Sequence, residues 1–166
     1  ALLTLLEQKP LNKITVTELC ALAQINRATF YAHYADCYAV LNALEDGLLR
    51  AFENSLSASA GGMEVQDLME AVYRIMDENS QVCRVLILEQ KDRALAERMI
   101  AIARYKTRTL WRASLPKATE GEIDMLFTCL ANGLLQVILT GYGKYPREQI
   151  AAFASAMTRN AMAMYT

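Results

Sequence analysis

Residues 14–34 read ITVTELCALAQINRATFYAHY, and the fold turns on how that run is parsed. Thr15 with Glu18 three residues on is a capping box, in which the hydroxyl accepts from the N–H of Glu18 and the carboxylate reaches back to the N–H of Thr15. Val16, Leu19, Cys20 and Ala23 then recur at helical spacing as the inward stripe of a first helix. Gln24 and Ile25 interrupt the pattern, and Asn26 is a favoured N-cap for a second helix. Ile25 before that cap and Phe30 after it form a hydrophobic staple, so the angle between the two helices is encoded locally. Such a pair buries one face of its second helix and leaves the other free to enter the DNA major groove.

Phe30 is the expected anchor of that second helix. At about 100° per residue, Arg27, Ala28 and Tyr31 fall together on the opposite arc. A guanidinium at Arg27 bonds guanine O6 and N7 bidentately, which makes it the base reader. Thr29, Tyr31 and His33 suit phosphates or single polar contacts, and Ala28 offers a methyl contact to thymine.

The run Ile14-Thr15-Val16, followed by Thr29-Phe30-Tyr31 and His33-Tyr34, resembles the DNA-binding domain of the TetR family of bacterial transcriptional regulators. The match covers roughly the first third of the chain. It implies an all-α fold: an N-terminal three-helix helix-turn-helix domain, and a C-terminal helical bundle that forms a homodimer and usually takes a small-molecule effector. Carried over by position, it implies Thr15, Arg27, Ala28, Thr29, Tyr31 and His33 as the DNA-contacting set. The function expected is that of a repressor binding an inverted-repeat operator in double-stranded DNA. Where the family commonly has a phosphate-gripping lysine at the start of the next helix, this chain has Cys37.

Charge qualifies the expectation. Residues 1–50 hold Lys9, Lys13, Arg27 and Arg50 against Glu7, Glu18, Asp36, Glu45 and Asp46, a weak footing for a polyanion. Between Lys9 and His33 three cations face Glu18 alone, which leaves a local positive face. The second reading is a TetR-like dimeric adaptor that acts through protein partners and binds DNA weakly. The opening Ala1-Leu2-Leu3-Thr4-Leu5-Leu6 is apolar from its first residue, with neither a basic lead-in nor a small-residue cleavage site. It is expected to be a core helix whose first turns, and any basic arm, lie upstream.

Composition narrows the class further. With 166 residues, 54% of them hydrophobic, the chain can bury a large core and still cover apolar surface between subunits. No segment reaches the length of a membrane span without polar interruption. Four cysteines without a CxxC pair and a single histidine argue against a metal or cofactor site and for reduced thiols in the cytoplasm. There is no glycine-rich phosphate loop, no paired carboxylate setting and no triad that His33 completes, so no enzyme is expected.

Asp36 is expected to cap a linking helix with Cys37, Val40, Leu41, Leu44 and Leu48 on its buried stripe, ending near Ser55 to Ser59. Ala60-Gly61-Gly62 then divides a DNA-binding unit, 1–59, from an effector-binding and dimerisation unit, 60–166. Further helices are expected at Val65 to Glu78, Gln81 to Glu89, Arg93 to Ser114, Thr119 to Tyr142 and Arg147 to Met164, punctuated by signals such as Asp92 and Pro116. Thr128, Asn132, Gln136 and Thr140 form a polar stripe on an otherwise apolar helix. Leu130, Leu134 and Ile138 with Phe153, Met157 and Ala161 are the expected dimer interface, a four-helix bundle on a two-fold axis. Met69, Tyr73, Met76, Leu86, Tyr105, Trp111 and Phe127 are the candidate lining of an effector pocket. Arg104, Arg108 and Arg112, with Lys106 nearby, make a basic stripe read as a solvated face, with an anionic effector as the alternative. Cys83 and Cys129 are expected to serve packing.

Overall fold

The computed structural model describes residues 1–57, 65–89 and 93–166, all helices and connecting turns with no strand among them. Helix α1 (Leu2–Leu6) buries Leu2, Leu3, Leu5 and Leu6, and a 3-10 turn at Leu11–Lys13 leads to α2 (Val16–Ala23) and α3 (Arg27–His33). Helix α4 (Cys37–Ser57) starts where Asp36 Oδ1 accepts the N–H of Ala39 at 2.8 Å. It then packs on α1, on α5 (Val65–Glu78) and on α7 (Arg93–Ser114) through residues such as Leu48 and Phe52. The expected boundary at Ala60-Gly61-Gly62, and Asp92, lie outside the described residues.

One expected helix winds differently. In place of a single α-helix from Gln81 to Glu89 there is a short α6 (Ser80–Val82) running into a π-helix at Cys83–Glu89. Val85, Leu86 and Ile87 are all buried. Three consecutive residues sweep about 200° of an α-helix, and the wider π winding narrows the arc that must face the core.

Helix α8 (Glu120–Gly141) opens with a second capping box, Thr119 with Glu122, and the chain closes with α9 (Arg147–Met162) and a 3-10 turn at Ala163–Tyr165. The basic stripe of α7 is a clasp onto α8. Arg104 donates to Asp124 Oδ1 at 2.9 Å and to Thr128 Oγ1 at 2.6 Å, with its guanidinium 4.9 Å from the Phe127 ring centre. Arg108 and Arg112 reach Glu120 at 3.4 and 3.2 Å, and Lys106 reaches Glu53 of α4 at 3.2 Å. A matching clamp joins α9 to α5: Arg147 grips both Asp77 oxygens at 2.5 and 2.6 Å and lies over Tyr73.

Buried apolar residues from Leu2 to Ala154 form one contiguous core, with a smaller cluster of Leu115, Ala118 and Ile123 beside it. That core corrects the expected dimer interface. Leu130, Leu134 and Ile138 are buried within the chain itself, because α8 turns this stripe toward its own α7 and α9. Helix α9 presents Ile150, Ala154 and Thr158 inward and leaves Phe153 and Met157 exposed, with Ala161 half-buried; Met164 of the closing turn is exposed as well. Gly141 permits the close approach of the two helices, since a Cβ there would lie 3.1 Å from Ile150 Cδ1. By length and composition α8 is the one described helix sufficient to cross a membrane. Its interrupting residues Thr128, Asn132, Gln136 and Thr140 all lie exposed.

Candidate nucleic-acid interface

The α2–α3 pair is built by the local bonds its sequence encodes. Thr15 Oγ1 accepts the N–H of Glu18 at 3.2 Å, and Glu18 Oε2 accepts the N–H of Thr15 at 2.9 Å. Asn26 Oδ1 accepts the N–H of Thr29 at 2.7 Å and so starts α3. Between them the N–H of Ile25 bonds the carbonyl of Cys20 and the N–H of Gln24 bonds that of Ala21. This is a Schellman closure, which places Gln24 in the left-handed region at φ 54° where glycine is the usual residue. Ile25, half-exposed, and Phe30 line one shallow apolar groove together with Ala23 and Leu3. Ala23 belongs to the expected inward stripe of α2, yet it is exposed on the rim of that groove.

Helix α3 buries only Phe30, whose ring packs at 5.4 Å on Tyr31 and 6.0 Å on Tyr34. Arg27, Ala28, Thr29, Tyr31 and His33 are all exposed. The Arg27 guanidinium lies 5.8 Å from the Tyr31 ring centre, a cation–π contact that holds it on the free arc of the helix. Thr15 stands apart from this set: its hydroxyl also donates to Glu18 Oε2 at 2.8 Å, so both its donor and its acceptor capacity serve the cap. Cys37 is buried at the start of α4, and burial foremost, with Asp36 adding to it, pushes its thiol pKa up. It is a core residue, and the exposed side chain beside it is Tyr38.

The electrostatics differ from the count along the chain. Lys9 donates to Glu18 at 2.5 Å, and with the Thr15 bonds this holds the Glu18 carboxyl down at about 2. Arg84 of the π-helix pairs with Glu7, while Arg98 of α7 pairs with Glu45 at 3.1 Å and Asp46 at 2.6 Å. Four of the five acids in residues 1–50 are therefore compensated, and the fifth, Asp36, caps α4. Among the described residues no acid pairs with Lys13 or Arg27. With Arg84 and Arg98 drawn in, six basic residues face five acidic ones. The sequence carries no sign of these pairings, which span 77 and 52 or 53 positions.

No family model, curated protein or solved structure matches the chain.

A cavity of about 120 Å³ lies among α4, α5, the π-helix, α7, α8 and α9. Met69, Met76, Trp111 and Phe127 of the expected pocket residues line it. Tyr73 and Leu86 are buried outside it, and Tyr105 is 81% exposed because α7 turns Ala96, Ala103 and Thr107 inward instead. Leu130, Leu134 and Ile138 line the cavity. So does Thr158, whose burial depends on the facing of α9 and has no local signal in the sequence. Cys83 also lines it, and burial pushes that thiol up to about 11, whereas Cys129 is exposed and not packed as expected. Among the described residues no group of His, Cys, Asp or Glu is placed to hold a metal ion.

Proposed function

We propose that the chain is a TetR-like DNA-binding transcriptional regulator, a repressor that acts as a homodimer on an inverted-repeat operator. The observation that carries this reading is α3, a helix anchored by Phe30 alone that offers Arg27, Ala28 and Tyr31 outward with Arg27 unpaired by any described acid. Arg27 reads a guanine, and Thr29, Tyr31, His33 and Lys13 bond phosphates. Tyr38 adds a phenol at the start of α4, next to the buried Cys37. Thr15 supports the reader by capping α2.

The dimer is supported by the free faces of α8 and α9. Met125, Phe153 and Met157 are exposed there, and neither 125–143 nor 149–158 contains an Asp, Glu, Lys or Arg. Exposed apolar side chains on a surface without charge call for a cover, and a second copy meets this one through a four-helix arrangement on a two-fold axis. That symmetry matches an operator of two half-sites about one helical turn of DNA apart.

The test is footprinting of the full chain on DNA from its own promoter region, repeated at several salt concentrations. A protected inverted repeat, with an affinity that falls steeply as salt rises, is expected; roughly six phosphate contacts per dimer give a log–log slope near −5. Absence of a footprint, with the dimer intact, overturns the reading in favour of the adaptor, for which the buried Cys37 and the short supply of free cations would then account.

A further inference from the structure

We propose that the cavity between α5, α7, α8 and α9 takes an uncharged, ring-sized apolar molecule with a single hydrogen-bonding group, and that Thr158 binds that group. This deepens the reading of the chain as a regulator by naming the chemistry of its effector.

Two independent features lead to it. Among the described residues the walls carry no acid or base: they are aliphatic and thioether side chains such as Met69 and Met76, together with the Trp111–Phe127 pair at 5.4 Å with the rings edge to face. A charged ligand would surrender its hydration and meet no counter-ion, which is prohibitive in such surroundings. The guanidinium of Arg104, which lies over the lining residue Phe127, is already bonded to Asp124 and Thr128, and Arg147 is closed on Asp77. The second feature is Thr158. It lines the cavity, is 1% exposed, and its Oγ1 has no hydrogen-bond partner.

Protein interiors pack closely, and their buried hydroxyls are almost always bonded. The void and the unbonded hydroxyl of one of its lining residues are together explained by a guest that fills the first and, on rotation of the Thr158 side chain about χ1, bonds the second. The volume, about 120 Å³, is close to that of apolar voids of roughly 150 Å³ known to admit benzene. Methionine walls adapt to the outline of the guest. The position also suits control of DNA binding. Phe52 of the lining belongs to α4, and Ile87 belongs to the π-helix that carries Arg84 to Glu7. A guest therefore bears on the two elements that reach the α1–α4 region.

The experiment is a calorimetric or NMR titration of the full chain, without DNA, using phenol, toluene and benzoate at pH 7. Phenol and toluene are expected to bind, with benzoate at least about tenfold weaker than phenol. Thr158→Val keeps the side-chain shape and removes the hydroxyl. It is expected to weaken phenol at least about fivefold while leaving toluene within about twofold, and retained toluene binding shows that the variant is folded. Benzoate binding as tight as phenol, an unchanged phenol affinity in the variant, or no binding by any of the three overturns the proposal. Because the readout does not involve DNA, a guest bound without an operator footprint overturns only the regulator reading. A footprint with an empty cavity overturns only this one.

Discussion

Leu134→Ala separates a core residue from an interface residue more sharply than any other substitution. Leu134 is 8% exposed within one chain and lines the cavity, so truncation removes buried methyl groups and enlarges a void that the surroundings already fail to fill. Leucine-to-alanine changes in cores cost about 2–5 kcal/mol, more where the site cannot collapse. A value of about 3 kcal/mol fits a wall that already borders empty space. For a chain of this size each kcal/mol moves the melting temperature by about 2–4 °C, so the variant should melt about 6–12 °C lower. Phe153→Ala is the counterpart. Phe153 is 52% exposed, so in the proposed dimer its loss should weaken association and leave the folding of each chain nearly unchanged. Thermal melts at two protein concentrations a hundredfold apart, with sedimentation to follow the monomer–dimer equilibrium, read both effects. The stability of a dimer varies with concentration, whereas a core defect persists at every concentration. A Leu134→Ala variant within about 1 kcal/mol of the parent, or one whose defect vanishes at high concentration, would return Leu134 to the subunit interface and refute the packing of α8 described above.

Arg27→Ala should cost about 1–3 kcal/mol of operator binding and relax preference at one base pair; selection from a randomised operator that returns the parental motif removes Arg27 from the reader. Glu18, held near 2 when folded against an ordinary 4.5, contributes stability that is complete above about pH 4.5 and is lost as pH falls toward 2. Urea midpoints of Glu18→Gln and the parent should therefore converge across that window, and parallel curves would show the capping network to be inert. Gln24→Gly should stabilise the chain by about 1 kcal/mol by relieving the left-handed backbone, and a lower urea midpoint would mean that the Gln24 side chain outweighs its strain. A thiol reagent at pH 8 should leave Cys83 intact in the folded chain, as it is buried with its pKa raised to about 11, and modify it once urea unfolds the chain; equal rates in the two conditions, followed by peptide mass, would contradict that burial.

How much of this was legible beforehand depended on range. The capping boxes at Thr15 and Thr119, the Asn26 and Asp36 caps, and the spans Val65–Glu78 and Arg93–Ser114 all rest on bonds or periodicities within a few residues. Neighbouring residue types are enough to specify such features. The π winding at Cys83–Glu89 was hidden, since an apolar run looks alike in either helix and the core it faces selects the winding. Which stripe of α8 turns inward was equally hidden, because Leu130 and Met125 are both apolar and only the placement of α7 and α9 distinguishes them.

The sequence by itself determined the all-helical character, most helix limits and the exposed arc of Arg27, Ala28 and Tyr31, because a helix repeats every 3.6 residues and its ends are closed by local side chains. Tertiary structure alone decided how the acids of residues 1–50 are compensated, by bringing Arg84 to Glu7 and Arg98 to Glu45 and Asp46. It alone decided that Leu134 faces inward and that Thr158 meets a void. Those outcomes depend on distances between residues far apart in the chain, and Coulomb attraction and packing act through space rather than along the backbone.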